Sequence, residues 1–454
     1  MSFPKYERYK DSGVEWLGEV PDPWTVYRSK VVFAERNVKA AEKDEQLTAS
    51  QKYGVIPQKL FSELEEHQVM QVIVGRSILK KAEVNDFVIS MRSFQGGLEF
   101  CPYSGAISSA YVPLYAKREI ENAFFKYLFK AEPFISALQQ TSNLVRDGQA
   151  LRYSNFTQLS LPFPTLVEQK KIGSMLDYET ARIDALIAEQ ERLIALLKEK
   201  RQAVISHAVT KGCDPSVPMK DSGVEWLGEV PKHWSSPALK YMCELLKDGT
   251  HLPPPRVDKG VPLLSVRNII SGKFVNREDD SNISYKDYEN LCRAFVPKVD
   301  DVLLAIVGAT LGKVAIVEEG MDRFHIQRSL AIFRTNPSKL SPEWLYFVLQ
   351  SSNFQALLWE NVGFSAQPGI YLGTLSGFAL PTPPLDEQKN IISVAKKEIQ
   401  PINELLKLAE SSCQLIKERR SALISAAVTG KIDVRNWQPP TSRASTPALE
   451  AVHH

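Results

Sequence analysis

KDSGVEWLGEVP at residues 10–21 returns unchanged as KDSGVEWLGEVP at residues 220–231. Two further stretches are also duplicated. LPFPTLVEQKKI (161–172) returns as LPTPPLDEQKNI (380–391), and LLKEKRQAVISHAVTKG (196–212) as LIKERRSALISAAVTGK (415–431). The first pair is offset by 210 residues and the other two by 219, so one long unit is present twice. Solenoids and propellers repeat every 20–50 residues or so, which leaves a duplicated domain pair.

Both units run in the same order: a WLGEVP segment, a mixed region, an LPxP exit and a long helix. Strand-like runs rich in β-branched and aromatic residues are QVIVG (71–75), DFVISM (86–91) and AYVPLYA (110–116) in the first unit. The second offers VPLLSV, DVLLAIV, KVAIV and SLAIF between residues 261 and 333. NAFFKYLFKAEPFISALQQ (122–140) has helical spacing with a break expected at Pro133, and Ser341 and Pro342 are expected to cap and open another helix. Each mixed region is therefore expected to be an α+β globule.

The long helices carry the clearest periodicity. Thr165 and Glu168 fit a capping box. Apolar residues then recur three and four apart at Ile172, Leu176, Ile183, Leu186, Leu193, Leu197 and Val204, with charges on the other faces. The second copy has Ile391, Ile402, Leu405, Ile416 and Leu423, and closes at Gly430 in the C′ position. Such a stripe calls for a partner helix, and the repeat supplies one. The alternative is that each helix packs only on its own globule. Pro401 is expected to break or kink the second helix. The expected fold class is α+β, with two globules separated by two long antiparallel helices that form a coiled coil with pseudo-twofold symmetry. The expected boundaries are a globule over 1–165, a helix over 166–212, a globule over 213–384, a helix over 385–431 and a disordered Pro/Ser/Thr-rich tail over 432–454. The duplicated twelve residues should pack near the helix ends, with Trp16 and Trp226 as buried anchors.

The totals bound the function only loosely. A net charge of +2 neither announces nor excludes nucleic acid, because a basic face can be balanced elsewhere. Five scattered cysteines without a CxxC pair argue for a reducing compartment and against a zinc ribbon. The greasiest run, 302–317, is short for a membrane span and carries Lys313, so a cytoplasmic protein with no membrane association is expected. No HExxH, GxSxG or GxGxxG occurs, and no adenine-methyltransferase tetrad. GATLGK (308–313) is one residue short of a phosphate loop and has Val314 where that loop needs a hydroxyl.

What the globules offer is basic and amide side chains in loops, types suited to base edges and phosphates. The candidates for DNA contact are Arg92, Ser93, Gln95 and Arg152 in the first unit. In the second they are Lys247, Thr250, His251, Arg267, Asn268, Thr310, Lys313, Gln327 and Arg328, with Arg256 beside them. No catalytic or metal-ligating set emerges. The loops occupy the part in which the two units differ, so shared sequence reads as frame and unshared sequence as two specificities.

WLGEVP with a following tryptophan, the LPxP…EQK entry and the KEKRQAVISHAVT helix end resemble the specificity (S) subunits of type I restriction-modification systems. MRSFQGGLE and DGTH…VPLLSVRNI…LLAIVGATLGKVAIV are similar to the target-recognition domains of that family. The resemblance covers residues 5 to 433. It implies a non-catalytic, sequence-specific DNA-binding subunit whose two recognition domains each read half of a bipartite double-stranded target. It further implies that the helices set the half-site distance and dock two methyltransferase (M) subunits, with two restriction (R) subunits joining. S-adenosylmethionine, ATP and Mg would then belong to those partners, and this chain would hold no cofactor. Lys170, Arg192, Glu199 and Arg201 on the first helix, and Lys389, Glu418 and Arg420 on the second, are the expected docking residues. The alternative is a stand-alone two-headed DNA-binding or scaffold protein.

Overall fold

The computed structural model describes residues 3–65, 78–142, 151–363 and 367–439. The QVIVG run and residues 440–454 lie outside them. The chain forms two compact units, one of residues 1–190 and 412–454 and the other of residues 191–411. Helices Leu166–Lys211 and Leu385–Val428 each give one half to either unit.

Unit one is built on a four-stranded antiparallel sheet in the order Phe33–Glu35, Val112–Ala116, Asp86–Ile89, Glu99–Cys101. Alternating apolar residues of these strands meet Phe124, Phe125 and Phe129 of the helix that follows, and the rings of Phe33, Phe87 and Phe129 pack at 5.0–5.7 Å, mostly edge-on. That helical region is broken as expected, into Asn122–Leu128 and Glu132–Gln140, with Pro133 in the first turn of the second piece. Asp86 is buried and receives both Arg36 nitrogens at 2.7 and 2.8 Å, which satisfies a charge that would otherwise be costly inside the sheet.

Unit two has a larger six-stranded sheet in the order Cys243–Asp248, Leu330–Thr335, Val302–Ala305, Val314–Ile316, Lys273–Phe274, Ile269–Ile270. Its core joins Leu304 and Phe333 to Trp234 and Trp344, whose rings lie edge-on at 5.7 Å. Helix Pro342–Gln350 follows Ser341 as predicted. However, the Ser341 side chain makes no cap bond; its backbone N–H donates to Gln388 at 2.8 Å.

The same small frame is built in both units. Trp24 donates its indole N–H to Glu168 at 2.9 Å, and Trp234 donates to Glu387 at 3.0 Å. The next residues, Gln169 and Gln388, are fully buried. Each accepts the backbone N–H that opens the preceding helix, from Glu121 at 2.9 Å and from Ser341 at 2.8 Å. The EQ of each helix entry thus ties a globule to its long helix. Glu168 does not complete the expected capping box: its N–H reaches Thr165 at 3.4 Å, but its carboxylate turns inward to Trp24 and to the Tyr6 hydroxyl at 2.5 Å. Trp16 and Trp226 are only half-buried; Trp24 and Trp234, at 0% and 1% exposure, are the anchors.

Both duplicated hairpins pack at helix ends. Tyr9 donates to the Gly430 carbonyl at 3.2 Å, and Lys211 to the Glu229 carbonyl at 2.7 Å. The second helix ends in a Schellman motif, with Lys431 N–H on Ala426 O at 2.8 Å and Gly430 at φ +76°. The first described residues of the expected disordered tail are ordered. Val434 is buried, Trp437 packs on Tyr178 at 5.7 Å, and Asp433 N–H donates to Pro4 O at 2.7 Å.

Within each unit the halves of the long helices run side by side and antiparallel. In unit two Lys198 meets Glu410 and Arg201 meets Asn403; in unit one Arg420 meets Asp184. Pro401 does not break the second helix, because Ile399 and Ile402 are buried on either side of it and hold the turn. The seam is incomplete, which corrects the expected stripe. Leu186, Leu193 and Leu405 are 51%, 43% and 52% exposed, since one neighbouring helix can cover only part of the apolar face.

Candidate nucleic-acid interface

In unit two the edge strand Cys243–Asp248 leads into a turn that brings three predicted residues together. Thr250 bridges to Gln327, its N–H reaches Ile326 O at 3.1 Å, and Arg328 N–H reaches Thr250 O at 3.1 Å. Gly249 permits this approach, since a Cβ there would lie 2.3 Å from the Gln327 carbonyl oxygen. His251 sits on Asp248 at 2.7 Å. Asp248, His251 and Arg328 line a cavity of about 460 Å³ with Val307 and Tyr371, the last 81% exposed. A carboxylate, an imidazole, a guanidinium and an exposed ring around one opening can recognise a planar polar edge.

The neighbouring loop behaves otherwise. Asn268 is fully buried and spends its amide on Val275 O at 3.0 Å and Asp280 at 2.8 Å, so it holds the loop and cannot reach a base. Arg267 is committed to Asp279 and Asp280 at 3.1 and 2.8 Å. Arg256 is exposed, and partial burial and then the Arg267 charge hold it below the ordinary arginine value. Gln327 points its amide at Leu263 O at 3.3 Å and is half-buried, whereas Lys247 and Lys313 are exposed. Thr310 is half-buried in the turn whose Lys313 carbonyl accepts from Ala305 at 2.8 Å.

In unit one Arg92 and Gln95 project from a pinned turn. Gln51 donates to Arg92 O at 3.3 Å and Lys130 to Gly96 O at 2.9 Å, and Gly97 takes φ +73°. Both side chains are exposed. Ser93 is not available: it is fully buried, and its hydroxyl accepts the Ser90 N–H at 2.8 Å. Arg152 is exposed at the start of helix Tyr153–Phe156.

Of the expected docking residues, Lys170, Arg192, Glu199, Lys389 and Glu418 are exposed on the long helices. Arg201 and Arg420 are not on the solvent side. Each spans the gap to the other helix, Arg201 to Asn403 at 3.0 Å and Arg420 to Asp184 at 2.7 Å. Among the described residues no helix is long and apolar enough to cross a membrane, and no His/Cys/Asp/Glu group is placed to hold a metal ion.

Residues 238–410 match the family model described as the type I restriction modification DNA specificity domain. The second unit of this chain is thus similar to that domain. Among relatives, the type I restriction enzyme MjaVIII specificity subunit of Methanocaldococcus jannaschii is 23% identical over 447 residues, covering 96% of this chain and 98% of its own. The EcoBI specificity subunit of Escherichia coli is 26% identical over 339 residues, covering 71% and 68%. A solved type I restriction-modification structure, described as concerning complex assembly and conformational transition, shares the fold. Its TM-score is 0.62 at 15% identity over 90% of this chain and 98% of that one. The α+β architecture with two long helices is therefore shared with that structure.

Proposed function

We propose that the chain is the DNA-reading subunit of a type I restriction-modification complex, each unit recognising one half of a bipartite duplex target. The observation that carries this is the duplicated Trp–Glu–Gln frame holding two unlike sheets, one of four strands and one of six. An identical mount under different reading surfaces suits a ligand with two different half-sites. In unit two the cavity at Asp248, His251, Arg328 and Tyr371 reads base edges, and the exposed Lys247 and Arg256 hold phosphate. In unit one Arg92 and Gln95 take the corresponding part.

The long helices set the half-site distance and dock two methyltransferase subunits, with two restriction subunits joining the assembly. Support for docking comes from the open seam: Leu186, Leu193 and Leu196, and Leu405, Leu408 and Leu415, are 43–66% exposed, which is costly for a helix with no further partner. The chain itself recognises and does not catalyse; S-adenosylmethionine, ATP and Mg serve the partner subunits.

The test is a graft. Replacing residues 25–160 with the equivalent region of another specificity subunit should change one half of the methylated motif and leave the other half intact. A change in both halves, read by methylation profiling of the host genome, would refute the two-reader model.

A further inference from the structure

The segment after strand Val261–Leu264 holds two adjacent carboxylates with different surroundings. Asp280, whose side chain is 6% exposed, accepts from the Arg267 guanidinium and the Asn268 amide at 2.8 Å each and from the Arg277 N–H at 2.7 Å. Three donors on a nearly buried acceptor close the loop. Asp279 is 60% exposed and bridges two guanidiniums. It accepts from Arg267 Nη1 at 3.1 Å on one oxygen and from Arg277 Nε at 2.9 Å on the other.

The loop does not need this second carboxylate. Without it Arg267 keeps the Asp280 side chain and the Asp279 backbone carbonyl, the latter at 2.6 Å. Ion pairs between exposed side chains also add little to stability. What Asp279 does is occupy a place: two guanidiniums on one oxyanion is how arginines take a phosphate. The Arg277 guanidinium, and then the Arg267 charge, hold its carboxyl below the usual carboxylate range, so it stays ionised there.

This place lies at the same end of the strands as the candidate reading turn. Strands Val261–Leu264 and His325–Ile326 are parallel, with Leu264 beside Ile326, and the Gln327 N–H donates to the Leu264 carbonyl at 2.9 Å. Parallel neighbours end together, so the segment carrying Arg267 and the turn carrying Gln327 and Arg328 leave the pair side by side. Thr250 joins them through its bridge to Gln327.

We infer that Asp279 is an internal phosphate mimic, which holds Arg267 and Arg277 off the DNA backbone and lowers affinity on every sequence. The inference rests on the DNA-reading role proposed above. Weaker backbone binding shortens the time spent on the many duplex sites that lack the target. The test uses the full chain copurified with its methyltransferase subunit, titrated by fluorescence anisotropy at several salt concentrations. The probes are a random duplex and one carrying the motif found by methylation profiling. Asp279→Asn should tighten both by the same factor, about tenfold at 0.1 M salt, and steepen the slope of log K against log salt by about one to two. Adding Arg277→Gln should remove most of that gain. Glu278→Gln deletes the same charge one residue away and should change little, and all the variants should melt with the unaltered complex. An unchanged slope in Asp279→Asn, weaker binding, or an equal gain in Glu278→Gln would overturn the mimic and leave the DNA-reading role standing. An unaltered complex that binds neither duplex would overturn that role, and the inference with it.

Discussion

Glu168 is 5% exposed, and its carboxylate depends on two donors, the Tyr6 hydroxyl and the Trp24 indole. Glu387 plays the same part in unit two, yet it is partly solvated and also paired with His233 at 2.7 Å. Trp24→Phe should therefore cost about 1–3 kcal/mol, the range for leaving a buried acceptor short of a donor, and Trp234→Phe clearly less. Denaturant unfolding of the two variants would measure the difference; equal costs would show that the second carboxylate has no help from His233 or water. The following tryptophan was visible in the sequence as part of the motif, but the one inside the repeated run drew the expectation of burial. An unbroken identity says that a residue is constrained, not that it faces inward. His325 gives a pH prediction. Burial holds it below the usual imidazole value of 6.5, and its ring stacks on Phe295 at 4.6 Å. Below about pH 6.5 the unfolded chain binds a proton that the folded chain declines, so stability falls as pH drops through that value. His325→Phe should flatten the pH dependence of unfolding between pH 7 and 5; an unchanged slope would assign it to other groups.

At the scale of elements, the sheets and helices were legible where local signals agreed. The strands of unit two, the break before Pro133 and the C-terminal stop at Gly430 all follow from composition and turn chemistry. The misreadings arose where tertiary contacts outweighed local preference. Proline lacks an N–H and crowds the preceding turn, yet Ile399 and Ile402 are buried on both sides of Pro401 and keep the helix continuous. Since Pro401 itself is exposed, Pro401→Ala removes the penalty without opening a cavity. The variant should gain up to about 3 kcal/mol in denaturant unfolding. A loss of stability would mean that a bend at Pro401 is needed for the helix to pack. The side chains of the candidate interface were only half legible. Asn268 and Ser93 looked like base readers because their types fit; burial makes both of them loop fasteners. Asp248 and Tyr371 escaped notice because the cavity joins residues more than 100 positions apart, a closeness that only the sheet creates.

At the scale of the whole molecule, the duplication predicts a ruler. Each long helix leaves one unit and enters the other, at Gln190–Glu191 and at Ser411–Ser412. If the helices set half-site distance, lengthening both should lengthen the nonspecific gap and leave the half-sites unchanged. The insertions must face each other across the pair, and the Lys198–Glu410 contact fixes where: four residues after Lys198 and four after Ala409. Each insertion adds about 6 Å at roughly 1.5 Å per residue and about 40° of helix rotation. A gap grown by about one to two base pairs matches that advance, at about 3.4 Å each. Four residues exceed a half-heptad by half a residue, so the seam is slightly strained, and a fall in stability should accompany the shift. Insertion in one helix alone should abolish activity, because the antiparallel contacts lose register. Methylation profiling decides the matter: a longer gap between unaltered half-sites supports the ruler, whereas full activity on the original gap places the distance control outside the helices.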